Sequence, residues 1–157
     1  MSEENVEIVR RFNEPYDGED IIPVIRAGLQ RLGPDPRPEE VLALWADDPG
    51  WRHAHPELEL DLMATGPLGV KARGAAEVGR WWTEWSEAWE SYVYRMVEYR
   101  DLGDWVLAPT EVRAQGAGGI PVEMRVFQLF GVRDGKVCAL RAFLSERDAL
   151  AAAGLRE

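Results

Sequence analysis

Residues 122–144 read VEMRVFQLFGVRDGKVCALRAFL, and their periodicity decides the fold class. From Val122 to Val132 the side chains alternate: Met124, Val126, Phe130 and Val132 fall on one face with Gln128 among them, while Glu123 and Arg125 fall on the other. Asp134-Gly135 is the dipeptide that supplies the two positive φ angles of a two-residue hairpin turn, so Lys136 to Leu144 is expected to return antiparallel beside the first run. The same period of two recurs upstream, predicting strands from Tyr92 to Arg100 and from Trp105 to Ala114, separated by Gly103-Asp104. Residues 116–119, Gly-Ala-Gly-Gly, turn the chain into the Val122 strand. Four strands joined by short turns make an antiparallel meander.

Working outward, the period lengthens to that of a helix. Gly74 leads into a predicted helix from Ala75 to Trp89, in which Val78, Trp82, Trp85 and Trp89 recur at steps of four, three and four. This stripe should lie on the concave side of the meander. Glu57 to Met63 alternates leucines with acids and is a further strand, followed by a Gly/Pro loop. Three helices precede it. The first starts at Ser2 and carries Val9, Phe12 and Tyr16 on one face. The second is capped by Asp20, carries Ile22, Ile25, Leu29 and Leu32, and stops at Gly33-Pro34. The third starts at Pro38 with Val41, Leu44 and Trp45 inward and is closed by the Asp47-Asp48-Pro49-Gly50 run. After the meander, Ser145 and Asp148 form a capping box for a last helix ending at Gly154. The order gives an α+β class in a single domain, residues 1–157.

Composition narrows the functions. The chain has 157 residues, 18 Lys plus Arg against 28 Asp plus Glu, and a net charge of −10. That balance repels phosphate backbones, so neither nucleic acid nor an anionic membrane is an expected partner. The start of the chain is acidic where a signal peptide is basic, and no apolar run approaches the ~18 residues of a membrane span. One cysteine, Cys138, excludes an internal disulfide, and a cytoplasmic location is expected. The unusual count is seven tryptophans, four of them at positions 81, 82, 85 and 89. So many large flat side chains either fill a core or wall a cavity.

Several segments carry a family resemblance: residues 4–12 (ENVEIVRRF), 55–59 (HPELE), 85–89 (WSEAW), 133–137 (RDGKV) and 149–155 (ALAAAGL). In this order and spacing they resemble the SnoaL-like branch of the nuclear transport factor 2-like superfamily. The resemblance implies a cone-shaped curved antiparallel sheet wrapped around the N-terminal helices and enclosing a ligand cavity. Residues 19–50 exceed the usual connection, so an extra helix over the mouth is expected. Residues 136–143 look like the last strand of ketosteroid isomerase. By that likeness Asp61 falls near the base position, Phe12 stands where the isomerase has a tyrosine, and Gln128 stands where it has its second acid; Tyr16, one turn after Phe12, offers a phenol. The acidic and basic groups of limonene epoxide hydrolase would fall at Thr110, Val112 and Ala142, which excludes that chemistry. The late acid of the SnoaL cyclases would fall at Gln128 or Ser145.

These likenesses, together with the residues, set the candidates. Asp61 is the expected base, with Gln128 and Tyr16 as polarising donors. Alternation alone puts Asp61 on the solvated face with Glu57 and Glu59; the resemblance turns it inward. Phe12, Trp82, Trp85, Trp89, Met124 and Phe130 are expected to line a substrate cavity, with His55 at its rim. The spacing of His53 and His55, with no third histidine and no cysteine nearby, gives no metal site, and no cofactor is expected. Glu123 and Arg125 read as exposed strand charges. The expected ligand is a small apolar molecule, the expected function a cofactor-independent isomerase or aldol-type cyclase acting on a carbonyl compound, and the alternative a non-catalytic binder or dimeric scaffold. A homodimer through the outer sheet face is expected, with Arg95, Glu111 and Arg113 beside Glu123 and Arg125.

Overall fold

Asp134 and Gly135 adopt φ of 55° and 72°, the pair of positive values that a type I′ turn requires. They join β6 (Pro121–Arg133) to β7 (Lys136–Phe143) in antiparallel register from Arg133↔Lys136 to Phe127↔Phe143. The computed structural model describes residues 2–62 and 71–154. β5 (Trp105–Gly116) pairs with β6, and β3 (Trp89–Met96) with β5, both antiparallel. No helix intervenes between these four strands. The expected Tyr92–Arg100 strand is two pieces: β3 starts earlier, at Trp89, and Arg100 belongs to the two-residue β4 (Arg100–Asp101), which pairs separately with β5.

The rest of the sheet corrects the all-antiparallel expectation. β1 (Ala54–Asp61) lies parallel to β7 and antiparallel to the short β2 (Lys71–Arg73), giving the order β2-β1-β7-β6-β5-β3. Alternation identifies a strand, but the direction of its neighbour is set by where the chain enters the sheet, which no local pattern records. Register shifts at Gly131/Val132, Trp89/Ser91 and Ala54/Glu59 bend the strands and curve the sheet. The expected strand end at Met63, the Gly/Pro loop, the Ser2 side-chain cap and Leu155 lie outside the described residues.

Inside the curve sit α1 (Ser2–Asn13), α3 (Pro38–Ala46) and α4 (Gly74–Glu87), with Val9, Val41, Leu58, Val78 and Phe130 fully buried between them and the sheet. α2 (Ile22–Leu32) has Ile21 at its N-cap and no side-chain cap, so the expected Asp20 cap does not form; Asp20 Oδ1 instead accepts from the Ile22 amide at 3.1 Å in a turn ahead of the helix and from the Tyr92 amide of β3 at 3.0 Å. α2 and α3 are the two helices expected between residues 19 and 50. α4 ends at Glu87, short of the predicted Trp89, because Trp89 opens β3 and continues the inward-facing pattern as a strand residue. α5 (Glu146–Ala152) is capped by Ser145, whose Oγ accepts from the Asp148 amide at 3.1 Å. It covers the outer face, burying Leu107, Leu129 and Ala149.

Candidate functional site

Bending a sheet around helices leaves space wherever the helices do not reach the strands. Here that space is a cavity of about 360 Å³, large enough for a small organic molecule. Its sheet wall is Val112, Met124, Val126 and Leu140, and Ile25, Leu29 and Leu44 close the other side. Val24 of α2 lines it yet is 50% exposed, which puts an opening beside α2. Between these walls runs an aromatic belt. Ring centroids are 5.0 Å apart from Trp45 to Trp51, 5.2 Å from Trp51 to Trp82, 5.5 Å from Trp82 to Trp85 and 4.7 Å from Trp85 to Tyr92. Tilted and edge-to-face contacts of this kind hold rings in fixed positions.

Polar groups are few. Asp48 is the single charged side chain among the described lining residues. Its Oδ1 accepts from the amides of Gly50 and Trp51, both at 2.9 Å, and from the Tyr16 hydroxyl. Nothing described pairs with Oδ2. The local sequence explains the arrangement: Asp48 braces the loop that leads into the 3₁₀ turn Trp51–His53, and residue 50 must be glycine, since a Cβ there would stand 2.5 Å from Tyr16 Cε2 and 2.6 Å from the Phe12 carbonyl oxygen. On the sheet, Thr110 donates to the Ala108 carbonyl at 3.0 Å, so it must accept the Gln128 Nε2 hydrogen bond at 2.9 Å, and among the described residues nothing pairs with Gln128 Oε1. Tyr94 donates weakly to Asn13 Oδ1 at 3.4 Å. Burial pushes the Tyr92 phenol well above its ordinary range, and does the same at Tyr94 with help from the charges of Asp17 and Asp48. Both stay protonated hydroxyls.

The expected residues divide. Phe12, Tyr16, Trp82, Trp85, Met124 and Gln128 line the cavity. Trp89 does too, from β3 rather than from a helix, with its Nε1 buried and unpartnered among the described residues. Three others are placed elsewhere. Asp61 is outside the cavity with Oδ2 3.9 Å from Lys71 Nζ, its side chain 32% exposed; Leu60, one residue earlier, takes the inward position, and alternation turns Asp61 away. Phe130 is fully buried, packed edge-on against Phe12 at 6.2 Å, and so is core rather than lining. His55 lies beside the β6–β7 turn, Nε2 3.5 Å from Asp134 Oδ2, with Nδ1 accepting from the Glu57 amide at 3.0 Å, away from any rim. Two roles also shift. Tyr16 spends its hydrogen on Asp48, and Gln128 spends one on Thr110 and faces the cavity as an acceptor. Glu123 and Arg125 are exposed and paired across strands with Arg113 and Glu111 at 3.4 and 3.2 Å. Among the described residues no three His, Cys, Asp or Glu side chains gather as for a metal, and no helix is long and apolar enough to cross a membrane.

Sequence reading passed over Asp48, Trp45, Trp51 and Tyr92 as site residues. Asp48 looked like part of a helix stop, which it is as well. The available signal was an acid beside two tryptophans, Trp45 and Trp51, in a chain that has a cavity to line.

The family profile of the SnoaL-like domain matches residues 35–140. No curated protein matches the sequence. Among solved structures, an NTF2-like protein of unknown function from Burkholderia pseudomallei superposes with a TM-score of 0.61 at 14% identity, covering 94% of this chain and 95% of its own. A protein from Jannaschia sp. CCS1 described as a SnoaL-like polyketide cyclase gives 0.59 at 19%, covering 97% and 90%. A protein of ketosteroid isomerase-like fold from Catenulispora acidiphila, in complex with trimethylamine, gives 0.53 at 16%, covering 85% and 95%. At these identities the likeness is one of fold.

Proposed function

This chain belongs to the SnoaL-like domain family, and from that premise we propose that its cone takes up one small, largely apolar molecule and moves a proton on it without a cofactor. The reaction class is that of an isomerase or aldol-type cyclase acting on a carbonyl compound. One observation carries this reading: an apolar, aromatic cavity of about 360 Å³ in which, among the described residues, the one charged lining group is a carboxylate with an oxygen left open. Asp48 replaces Asp61 as the base. The C–H bond beside the carbonyl breaks, its proton passes to Asp48 Oδ2, and its electron pair moves to the carbonyl oxygen as an enolate. The Tyr94 hydroxyl, kept protonated by burial and close enough to Asp48 for that charge to add to the effect, is the donor offered to that oxygen. Returning the proton at another carbon isomerises the compound; attack of the enolate carbon on a second carbonyl closes a ring. The description of the Jannaschia protein as a polyketide cyclase and the trimethylamine held by the Catenulispora protein support small organic ligands in this fold.

Deuterium exchange beside the carbonyl of aromatic and alicyclic ketones, followed by proton NMR in heavy water, tests the reading. The wild type should speed exchange, and Asp48→Asn, which keeps an oxygen acceptor for the turn, should abolish the acceleration. A ketone that binds without exchanging would leave a non-catalytic binding protein.

A further inference from the structure

We infer that the ligand of this cavity is an organic cation, an apolar body carrying an ammonium group, seated at the Asp48 end of the aromatic belt. The inference rests on the uptake of a small molecule proposed above, and not on the proton transfer.

Among the described lining residues there is one carboxylate, Asp48, and no lysine, arginine or histidine. Its Oδ1 is saturated by two amides and a phenol, and no described cation approaches Oδ2 within ion-pair distance. A carboxylate lining a largely apolar cavity with no described counter-ion offers an ammonium guest a partner of opposite charge.

The walls point the same way. The Asp48 turn is built into the belt: Trp51 donates its amide to Asp48, and Asp48 donates its own to the Trp45 carbonyl at 3.0 Å. The two indoles are 5.0 Å apart, with Trp82 next in line, so the turn that carries the carboxylate also carries one end of the aromatic belt. Aromatic faces attract ammonium groups electrostatically, more strongly when water is excluded. The second open oxygen, Gln128 Oε1, is again an acceptor. A chain of net charge −10 adds a field of the same sign. A neutral or anionic guest uses the apolar area; only a cation uses the area, the ring faces and the carboxylate together.

Three probes of matched size test this: benzyltrimethylammonium, its neutral carbon isostere neopentylbenzene, and the neutral ketone 4-phenyl-2-butanone. Tryptophan fluorescence and calorimetry give their dissociation constants. Benzyltrimethylammonium should bind at least about tenfold more tightly than neopentylbenzene, a difference of ~1.4 kcal/mol. Asp48→Asn, which keeps the turn's acceptor, should bring the two within about threefold. The isostere binding as well as the cation, or the ketone alone binding, overturns the cation and leaves the small-molecule cavity standing. Binding of none of the three overturns both. The wild-type comparison decides by itself, so failure of the variant to fold costs nothing.

Discussion

At the scale of single residues, the cavity separates two carboxylates that look alike in the sequence. Asp48 is held by three hydrogen bonds in the wall, and Asp61 sits on the outer face near Lys71. Asp61→Asn should therefore leave ligand binding and exchange activity unchanged, and shift stability by no more than ~0.5 kcal/mol. Titration of binding with the variant, beside urea unfolding, checks both halves. His53 makes a different prediction. Its pKa is pushed below the ordinary 6.5, first by burial and then by Arg52, Arg11 and Lys136. As pH falls through 6.5, the unfolded chain binds the proton more readily than the folded one, so stability drops across the window between 6.5 and the lowered folded value. His53→Gln removes that contribution. Its urea midpoint should fall less than that of the wild type between about pH 7.5 and about pH 5.5.

At the scale of elements, the turn between α3 and β1 joins stability to site geometry. Gly50 lets the turn approach α1 closely enough for Tyr16 to reach Asp48. An alanine there would meet the Phe12 carbonyl, part of the backbone, and could not be relieved by a side-chain rotation. Gly50→Ala should cost about 1–3 kcal/mol, and it should weaken ligand binding by displacing Asp48 and Trp51 together. Calorimetric melting and a fluorescence titration read the two effects. α2 forms one wall of the cavity and is fastened by Arg26, whose Nη2 donates to the Trp89 carbonyl at 2.7 Å and the Ser86 carbonyl at 3.3 Å. The helix that closes the space is thereby tied to the junction of α4 and β3, where the tryptophan belt changes from helix to strand.

At the scale of the whole molecule, six of the seven tryptophans, all but Trp105, line one space. A bound ligand should change the fluorescence of the entire group. It should also raise stability by mass action, ~2.7 kcal/mol at a hundredfold excess over its dissociation constant. A saturating ligand that shifts the melting temperature without touching the fluorescence would place binding elsewhere. The outer face of β5 and β6, beyond the cover of α5, carries the exposed pairs Glu111 with Arg125 and Arg113 with Glu123. We propose that two copies meet there, exchanging these pairs across a polar interface. Light scattering at micromolar concentration should give twice the 17.7 kDa of one chain; a mass near 17.7 kDa overturns it.

Much of this protein was legible in its sequence because the relevant physics is local. Alternation from Val122 to Val132 and the Asp134-Gly135 turn specify a hairpin whatever surrounds them, since side-chain period and positive φ are properties of the chain itself. The cap at Ser145 is local in the same way. Tertiary structure alone decided the parallel pairing of β1 with β7, which depends on the neighbour a strand meets. The outward facing of Asp61 follows from alternation after the buried Leu60, and it is the family likeness that turns it inward. The site, like the β1–β7 pairing, was decided at the tertiary level. Asp48 is a turn residue by sequence and a cavity carboxylate by position, and Gln128 is an acceptor because Thr110, on a neighbouring strand, had already committed its hydrogen. Hydrogen-bond direction and cavity charge are sums over groups far apart in the chain, and they exist only once the sheet has curved around the helices.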